Sequence, residues 1–413
     1  WIYSSQSRVL QKRQQIGSVS LSTTYQYDET TGSVTSMIYP SGKVIAYFYN
    51  DLSGLPTSCK IGNDNLLSSI HYAPFGLPSS WTYGNGATYQ RTFDQDGRIS
   101  QIKITGNFND TIDYSYDSAG RIIQINDTLS PPDISTGSAS LSYAADSNRI
   151  VSSSGNLAQS YTYDSAGNLL QDGSHTFTYN ARGILAKVTS NDISTQYAIN
   201  GLGQRIKKSG PSVETGANLF VYDEQGHLIG EYDADGNSIE ETVWLGDMPV
   251  AVIKGSALHY VYADHLGAPR IITDQTDKVV WKWIHDPYGN GDPKQPTGSF
   301  VYNLRFPGQY YDSETGLSYN MARYYDQKVG RYIQSDPIGL RGGINPYNYV
   351  RSNPVSLIDP SGHSWYSALF KASVNNFGNP TTLSERAEDI AIETATETLN
   401  EAAESALKNN VFD

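Results

Sequence analysis

The chain has 413 residues, with 29 Lys and Arg against 42 Asp and Glu, a formal charge of −13. That balance argues against a nucleic-acid-binding body, which carries a basic patch or stripe. The single cysteine, Cys59, excludes an intrachain disulfide and reads as a small half-buried residue. No stretch approaches the ~20 apolar residues of a membrane helix, so no membrane span is expected.

Residues 1–300 carry a recurring phrase. Its clearest copies are Tyr114-Ser115-Tyr116-Asp117-Ser118-Ala119-Gly120 and Tyr161-Thr162-Tyr163-Asp164-Ser165-Ala166-Gly167. Looser copies begin at Tyr25, Phe93, Val221 and Tyr232. Alternating Tyr gives a strand period, Asp-x-x-Gly gives a tight turn, and the apolar residue two places after Gly starts a return strand. A repeat of this kind fixes the architecture first, because stacked hairpins form one continuous body whatever the chain length suggests about domain count. The abundant Tyr, 31 residues, suits sheet faces on which a ring packs and a hydroxyl finds water or backbone. Trp1 falls in mid-repeat, so the natural N-terminus is expected to be absent, and any targeting segment with it.

The phrase changes after about residue 256. An ordered block follows: Arg305–Leu317, Asn320–Asp326, then Gly330-Arg331-Tyr332, Asp336-Pro337-Ile338-Gly339 and Asp359-Pro360-Ser361-Gly362-His363. Composition shifts sharply after His363. From Thr382 the chain turns acidic and weakly amphipathic, opened by the capping-box pattern Thr382-Leu383-Ser384-Glu385, and reads as a short helical tail. Its acidic face suits a basic groove on a partner better than an anionic membrane.

These features resemble the Rhs/YD-repeat family, which includes the shell-forming C component of insecticidal toxin complexes. The resemblance covers about residues 20–363. It implies an all-β fold: YD hairpins winding into a hollow shell, a cocoon, over 1–300. An Rhs-associated core domain plugs it at 301–363. Residues 364–413 would be the start of a toxin cargo. It further implies one self-cleavage between His363 and Ser364, and the composition shift there agrees independently. This chain departs from the family in carrying His363 where Leu is usual.

Family members are described as aspartyl-protease-like, which makes Asp336 and Asp359 the candidate catalytic pair. Two carboxylates close together cannot both ionise easily, so one holds the proton that polarises a carbonyl while the other activates water. Arg331, in the family-like Gly-Arg-Tyr phrase, is the first candidate to hold a carboxylate or an oxyanion, ahead of Arg323 and Arg341. Asp-Pro-x-Gly is equally a turn sequence. Ser364 is either the residue after the cut or a nucleophile for an N→O acyl shift. No cofactor is expected, and His259, His265 and His285 lack metal-ligand spacing. The implied partners are the chain's own toxin, an immunity protein and a secretion adaptor or chaperone, in an exported bacterial effector whose route is open. The alternative is a non-cleaving adhesion or scaffold module that binds carbohydrate or protein, like the teneurin shell.

Overall fold

The computed structural model describes residues 1–74, 76–129, 139–155, 157–363 and 365–367. Two large antiparallel sheets dominate. The first has 12 strands, from Ile2–Tyr3 to Ile122–Asp127, and the second has 13, from Thr162–Tyr163 to Val279–Lys282. Within each sheet every strand pairs with its neighbours in sequence, so each hairpin covers the edge of the last and, among the described residues, only the outermost strands leave edges open. A three-stranded sheet lies between them in the chain, and a four-stranded sheet, Tyr310–Asp312 to Arg331–Tyr332, follows. The expected all-β winding sheet is thus the fold observed. The acidic helix expected from Thr382 lies outside the described residues.

The repeat phrase works through its Asp and its Tyr together. Asp117 Oδ1 accepts the backbone N–H groups of Ala119 and Arg121 at 3.0 and 2.9 Å, and Oδ2 takes the Arg121 side chain at 2.7 Å. Gly120 supplies the left-handed step, φ 77°, that closes the turn. The Tyr just before the turn sits at a bulge, where the ladder to the next strand slips by one residue. Its hydroxyl instead reaches sideways to the first carbonyl of the preceding strand. Tyr116 donates to Ile99 at 2.8 Å, Tyr27 to Val9 at 2.8 Å, Tyr49 to Val34 at 2.7 Å and Tyr179 to Leu169 at 2.8 Å. The conspicuous Tyr is therefore a clamp between neighbouring strands as well as a packing residue.

The first sheet lays one face on the later half of the second. Leu66, Trp81 and Ile102 pack there with Val243, Val250 and Tyr262. Four hydroxyl or amine groups cross to backbone carbonyls: Lys12 to Tyr222, Tyr39 to Thr242, Tyr83 to Val261 and Tyr89 to Ala263, at 2.8, 3.0, 2.8 and 2.8 Å. The other face of the second sheet, with Phe220, Val252 and Ile272, is covered by Tyr302, Phe306 and Tyr324 of the block that follows. Met248–Lys254 is consequently buried almost end to end, as strands covered on both faces are. Each such aliphatic side chain contributes about 2 kcal/mol.

Buried charge ties the block to this wall. Arg205 of the second sheet pairs with Asp312, both side chains fully buried, and Lys208 reaches Asp312 at 3.1 Å and Glu314 at 3.2 Å. Stripping one partner from such a set leaves an uncompensated interior charge, so the anchor is costly to break.

Candidate active site around two buried aspartates

The four-stranded sheet presents Asn320, Arg323 and Tyr332 toward two loops, one carrying Asp336 and the other Asp359. Each Asp-Pro-x-Gly segment does make a turn. Asp336 Oδ1 accepts Ile338 N–H at 3.0 Å, and Asp359 Oδ1 accepts the Ser361 hydroxyl and the His363 N–H, each at 3.2 Å. The turn reading is therefore correct for both loops, and it does not compete with the pairing. The same two residues are buried, 7% and 2% exposed, and meet across one arginine.

That arginine is Arg323. Its Nη2 lies 2.9 Å from Asp336 Oδ2 and 3.3 Å from Asp359 Oδ2. Its Nε donates to the Gly362 carbonyl and its Nη1 to the Pro346 carbonyl at 3.2 Å. Its plane stacks 3.6 Å from the centre of the Tyr332 ring. The planar guanidinium can serve all these partners at once, which a lysine point charge cannot. Burial pushes the Asp336 carboxyl above its ordinary value, against the pull of Arg323.

Arg331, the first candidate from the sequence, does not reach the pair. Adjacent strand residues point to opposite faces, so Tyr332 faces the aspartates and Arg331 faces away. Arg331 instead donates to the Asn148 carbonyl at 2.6 Å and stacks on Tyr347 at 4.7 Å. Arg341 is exposed in the short 3₁₀ turn Gly339–Gly342.

Tyr332 and Asn320 were not legible as site residues. The Tyr332 hydroxyl donates to Asp359 Oδ2 at 2.7 Å and accepts from Asn320 Nδ2 at 2.8 Å, while Asn320 Nδ2 also holds the Asp359 carbonyl at 2.9 Å. Tyr and Asn are scattered through the chain, and nothing in their spacing singles these two out.

His363 follows directly on this network. Gly362 takes φ 69°, and a Cβ there would run into the Asn320 carbonyl, so the second loop is pressed against the sheet. Ser364 lies outside the described residues. Beyond it Trp365 lies under Arg351 at 4.1 Å, and Tyr366–Ser367 pairs antiparallel with Leu357–Ile358. Leu357–Ile358 and Tyr366–Ser367 are thus the two arms of a small hairpin, and Asp359 follows directly on the first. Among the described residues, no group of three His, Cys, Asp or Glu is placed to hold a metal ion. Cys59 is buried, and its thiol is pushed up to about 12.

Comparison with known proteins bears on this architecture. The double-stranded DNA deaminase toxin A of Burkholderia cenocepacia (strain H111) is 28% identical over 334 residues, 62% of this chain and 22% of the toxin. The tRNA nuclease WapA of Bacillus subtilis (strain 168) is 29% identical over 353 residues, 82% of this chain and 14% of that protein. The toxin protein Tse5 of Pseudomonas aeruginosa is 37% identical over 113 residues, 27% of this chain and 8% of the toxin. The crystal structure of TcdB2-TccC3 superimposes with a TM-score of 0.66 at 19% identity, over 87% of this chain and 24% of that one, which shows a shared fold. The chain spans less than a quarter of the length of each of these proteins. Residues 77–354, more than half of the chain, match the family described as teneurin YD-shell. With its repeated Tyr-Asp hairpins and its toxin-shell relatives, the chain belongs to the teneurin YD-shell family, the YD-repeat shells of Rhs-type proteins.

Proposed function

We propose that this chain is part of a YD-repeat shell that encloses a toxin encoded C-terminal to it. In this reading residues 1–300 are shell wall, 301–363 a plug, and 364–413 the start of the cargo. Asp336 and Asp359 cut the His363–Ser364 bond once. The observation that carries the reading is the contact between Asp359 and the residue before the proposed cut. Its carboxylate accepts the His363 N–H at 3.2 Å, while Arg323 links both aspartates to the Gly362 carbonyl.

The chemistry follows from the pair. The ionised aspartate takes a proton from a water, whose oxygen bonds to the His363 carbonyl carbon. The protonated aspartate gives its proton to the carbonyl oxygen. On collapse the C–N bond breaks and its electron pair leaves with the Ser364 nitrogen, which takes up the proton lifted from water. The second aspartate recovers its proton from the tetrahedral intermediate. One water is consumed, leaving a carboxyl on His363 and an amine on Ser364. Because the substrate is tethered, positioning supplies much of the rate.

Relatives that share this segment carry names for different activities, a DNA deaminase and a tRNA nuclease. That supports a shell indifferent to its cargo, and it makes an exported effector, an immunity protein and a secretion adaptor the natural accompaniments. A non-cleaving scaffold is the second reading, favoured by the ordinary turn bonds that both aspartates make. Intact mass under denaturing conditions separates the two. The chain through residue 413 should yield fragments ending at His363 and starting at Ser364, both absent in Asp336→Asn and Asp359→Asn. One intact mass in all three leaves the scaffold.

A further inference from the structure

We infer that Tyr332 is a positioning residue that divides the labour of the aspartate pair: its hydroxyl holds Asp359 as the ionised base and leaves the shared proton on Asp336. The inference rests on the self-cleavage reading above and goes beyond it, since the pair alone does not say which member is which.

The donors around the two carboxylates are unequal. Asp359 Oδ2 receives the Tyr332 hydroxyl at 2.7 Å and Arg323 Nη2 at 3.3 Å. Its Oδ1 receives the Ser361 hydroxyl and the His363 N–H, each at 3.2 Å. A carboxylate offers about four lone-pair sites, and these donors occupy them. A proton on Asp359 would face one of its own donors. Asp336 receives two, Ile338 N–H at 3.0 Å and Arg323 at 2.9 Å, which leaves room for a proton.

Tyr332 is locked in the donating role. Its oxygen already accepts Asn320 Nδ2 at 2.8 Å, so its own proton is directed at Asp359. Burial pushes the phenol well above its ordinary value, with Asp359 adding to the push, so it remains a donor throughout the working range. The charged and titratable groups facing Asp359 are Arg323, Asp336, Tyr332, Tyr349 and His363. Of these, only Arg323 and Tyr332 donate from side chains to its carboxylate. In the reaction, then, the Ser361 hydroxyl at 3.2 Å, which can turn about its Cβ–Oγ bond, yields its place on Asp359 to the water, from which Asp359 lifts the proton, while Asp336 protonates the His363 carbonyl oxygen. Asp359 hands its proton to the departing Ser364 nitrogen, and Asp336 is reprotonated from the intermediate.

Tyr332→Phe tests this. It keeps the ring that Arg323 stacks on and removes only the hydroxyl. The acid limb of the self-cleavage rate should move up by about one pH unit, with the plateau above it retained. A ¹³C-carboxyl spectrum of the wild-type shell after cleavage should show the proton on Asp336. A limb unchanged from wild type, or an equal loss at every pH, overturns the inference while leaving self-cleavage standing. So does a proton found on Asp359. If the wild-type chain never cleaves, the self-cleavage reading falls, and the ¹³C spectrum alone then decides where the proton resides.

Discussion

The Arg323 guanidinium and the Asp336 carboxylate lie 2.9 Å apart with their side chains 2% and 3% exposed. The pair joins a sheet strand to the first Asp-Pro-x-Gly loop, and the same nitrogen reaches Asp359 in the second. Replacing Arg323 with Ala would strand two buried carboxylates without a counter-charge. It should cost about 3 kcal/mol in urea unfolding. Arg323→Lys should recover part of that stability and little of the cleavage, because one ammonium cannot hold both aspartates and the Gly362 carbonyl. A drop of roughly 10²-fold in the first-order appearance of the two fragments is expected.

Gly362 and Gly339 occupy the same position in the two Asp-Pro-x-Gly loops, with φ 69° and 67°. Alanine at either position carries the left-handed penalty of about 1 kcal/mol. Around Gly339 there is open space, whereas a Cβ at Gly362 meets the Asn320 carbonyl. Gly339→Ala should therefore cleave at near wild-type rate. Gly362→Ala should shift the loop that holds His363 and lose cleavage, read by intact mass over time.

The hydroxyl of Tyr116 bonds the Ile99 carbonyl at 2.8 Å, and Tyr116 is one of a series of such clamps. Tyr116→Phe should lower stability by about 1 kcal/mol, the ordinary net worth of one hydrogen bond. A substitution two residues upstream, Tyr114→Phe, has a different meaning. Tyr114 is buried in the core and tilts against His265, so its ring dominates. The two variants, compared by urea midpoint at equal slope, separate the clamp from the packing role.

Much of this was legible because each level of the phrase agreed with the next. Asp117 and Gly120 announced a turn, and the turn is made by the bonds those residue types make. The winding sheet followed from the repeat. Other features depend on which surfaces meet, and local pattern does not carry that. The run Met248–Lys254 reads as one more strand until a layer is seen on each side of it. The choice between Arg331 and Arg323 turned on which face of its strand each occupies, and the Gly-Arg-Tyr phrase could not tell that face. For Asp336 and Asp359, the turn chemistry was readable from four residues. Their meeting required a third strand, which supplies Arg323 from outside both motifs.

Two groups, the half-buried His227 and the buried Glu231, shape the expected pH dependence of the fold in adjoining windows. His227 sits between Asp223 at 2.8 Å and Asp247 at 2.9 Å and stacks on Trp244, and its imidazole is pushed up to about 10, its neighbouring carboxylates outweighing the cost of burial. A histidine raised in the folded state stabilises it fully below about 6.5 and loses that contribution as pH climbs toward 10. Glu231 is pushed up to about 7, chiefly by burial and then by Glu240 opposite it, with Tyr310 donating to both of its oxygens at 2.9 Å. A carboxyl raised in this way favours the fold while protonated, so its contribution is present below about 4.5 and lost as pH rises through 7. The urea midpoint should therefore fall in two stages, one between about 4.5 and 7 and another between about 6.5 and 10. Glu231→Gln should shrink the first stage and leave the second, the remainder of the first belonging to Asp326, which burial pushes up to about 6. His227→Gln should do the reverse, and it should lower stability by a few kcal/mol at pH 6, on the order of 1.4 kcal/mol for each tenfold gain in proton affinity on folding. A midpoint that stays level from pH 7 to 10 in the wild type would mean that His227 is not held protonated between its two aspartates.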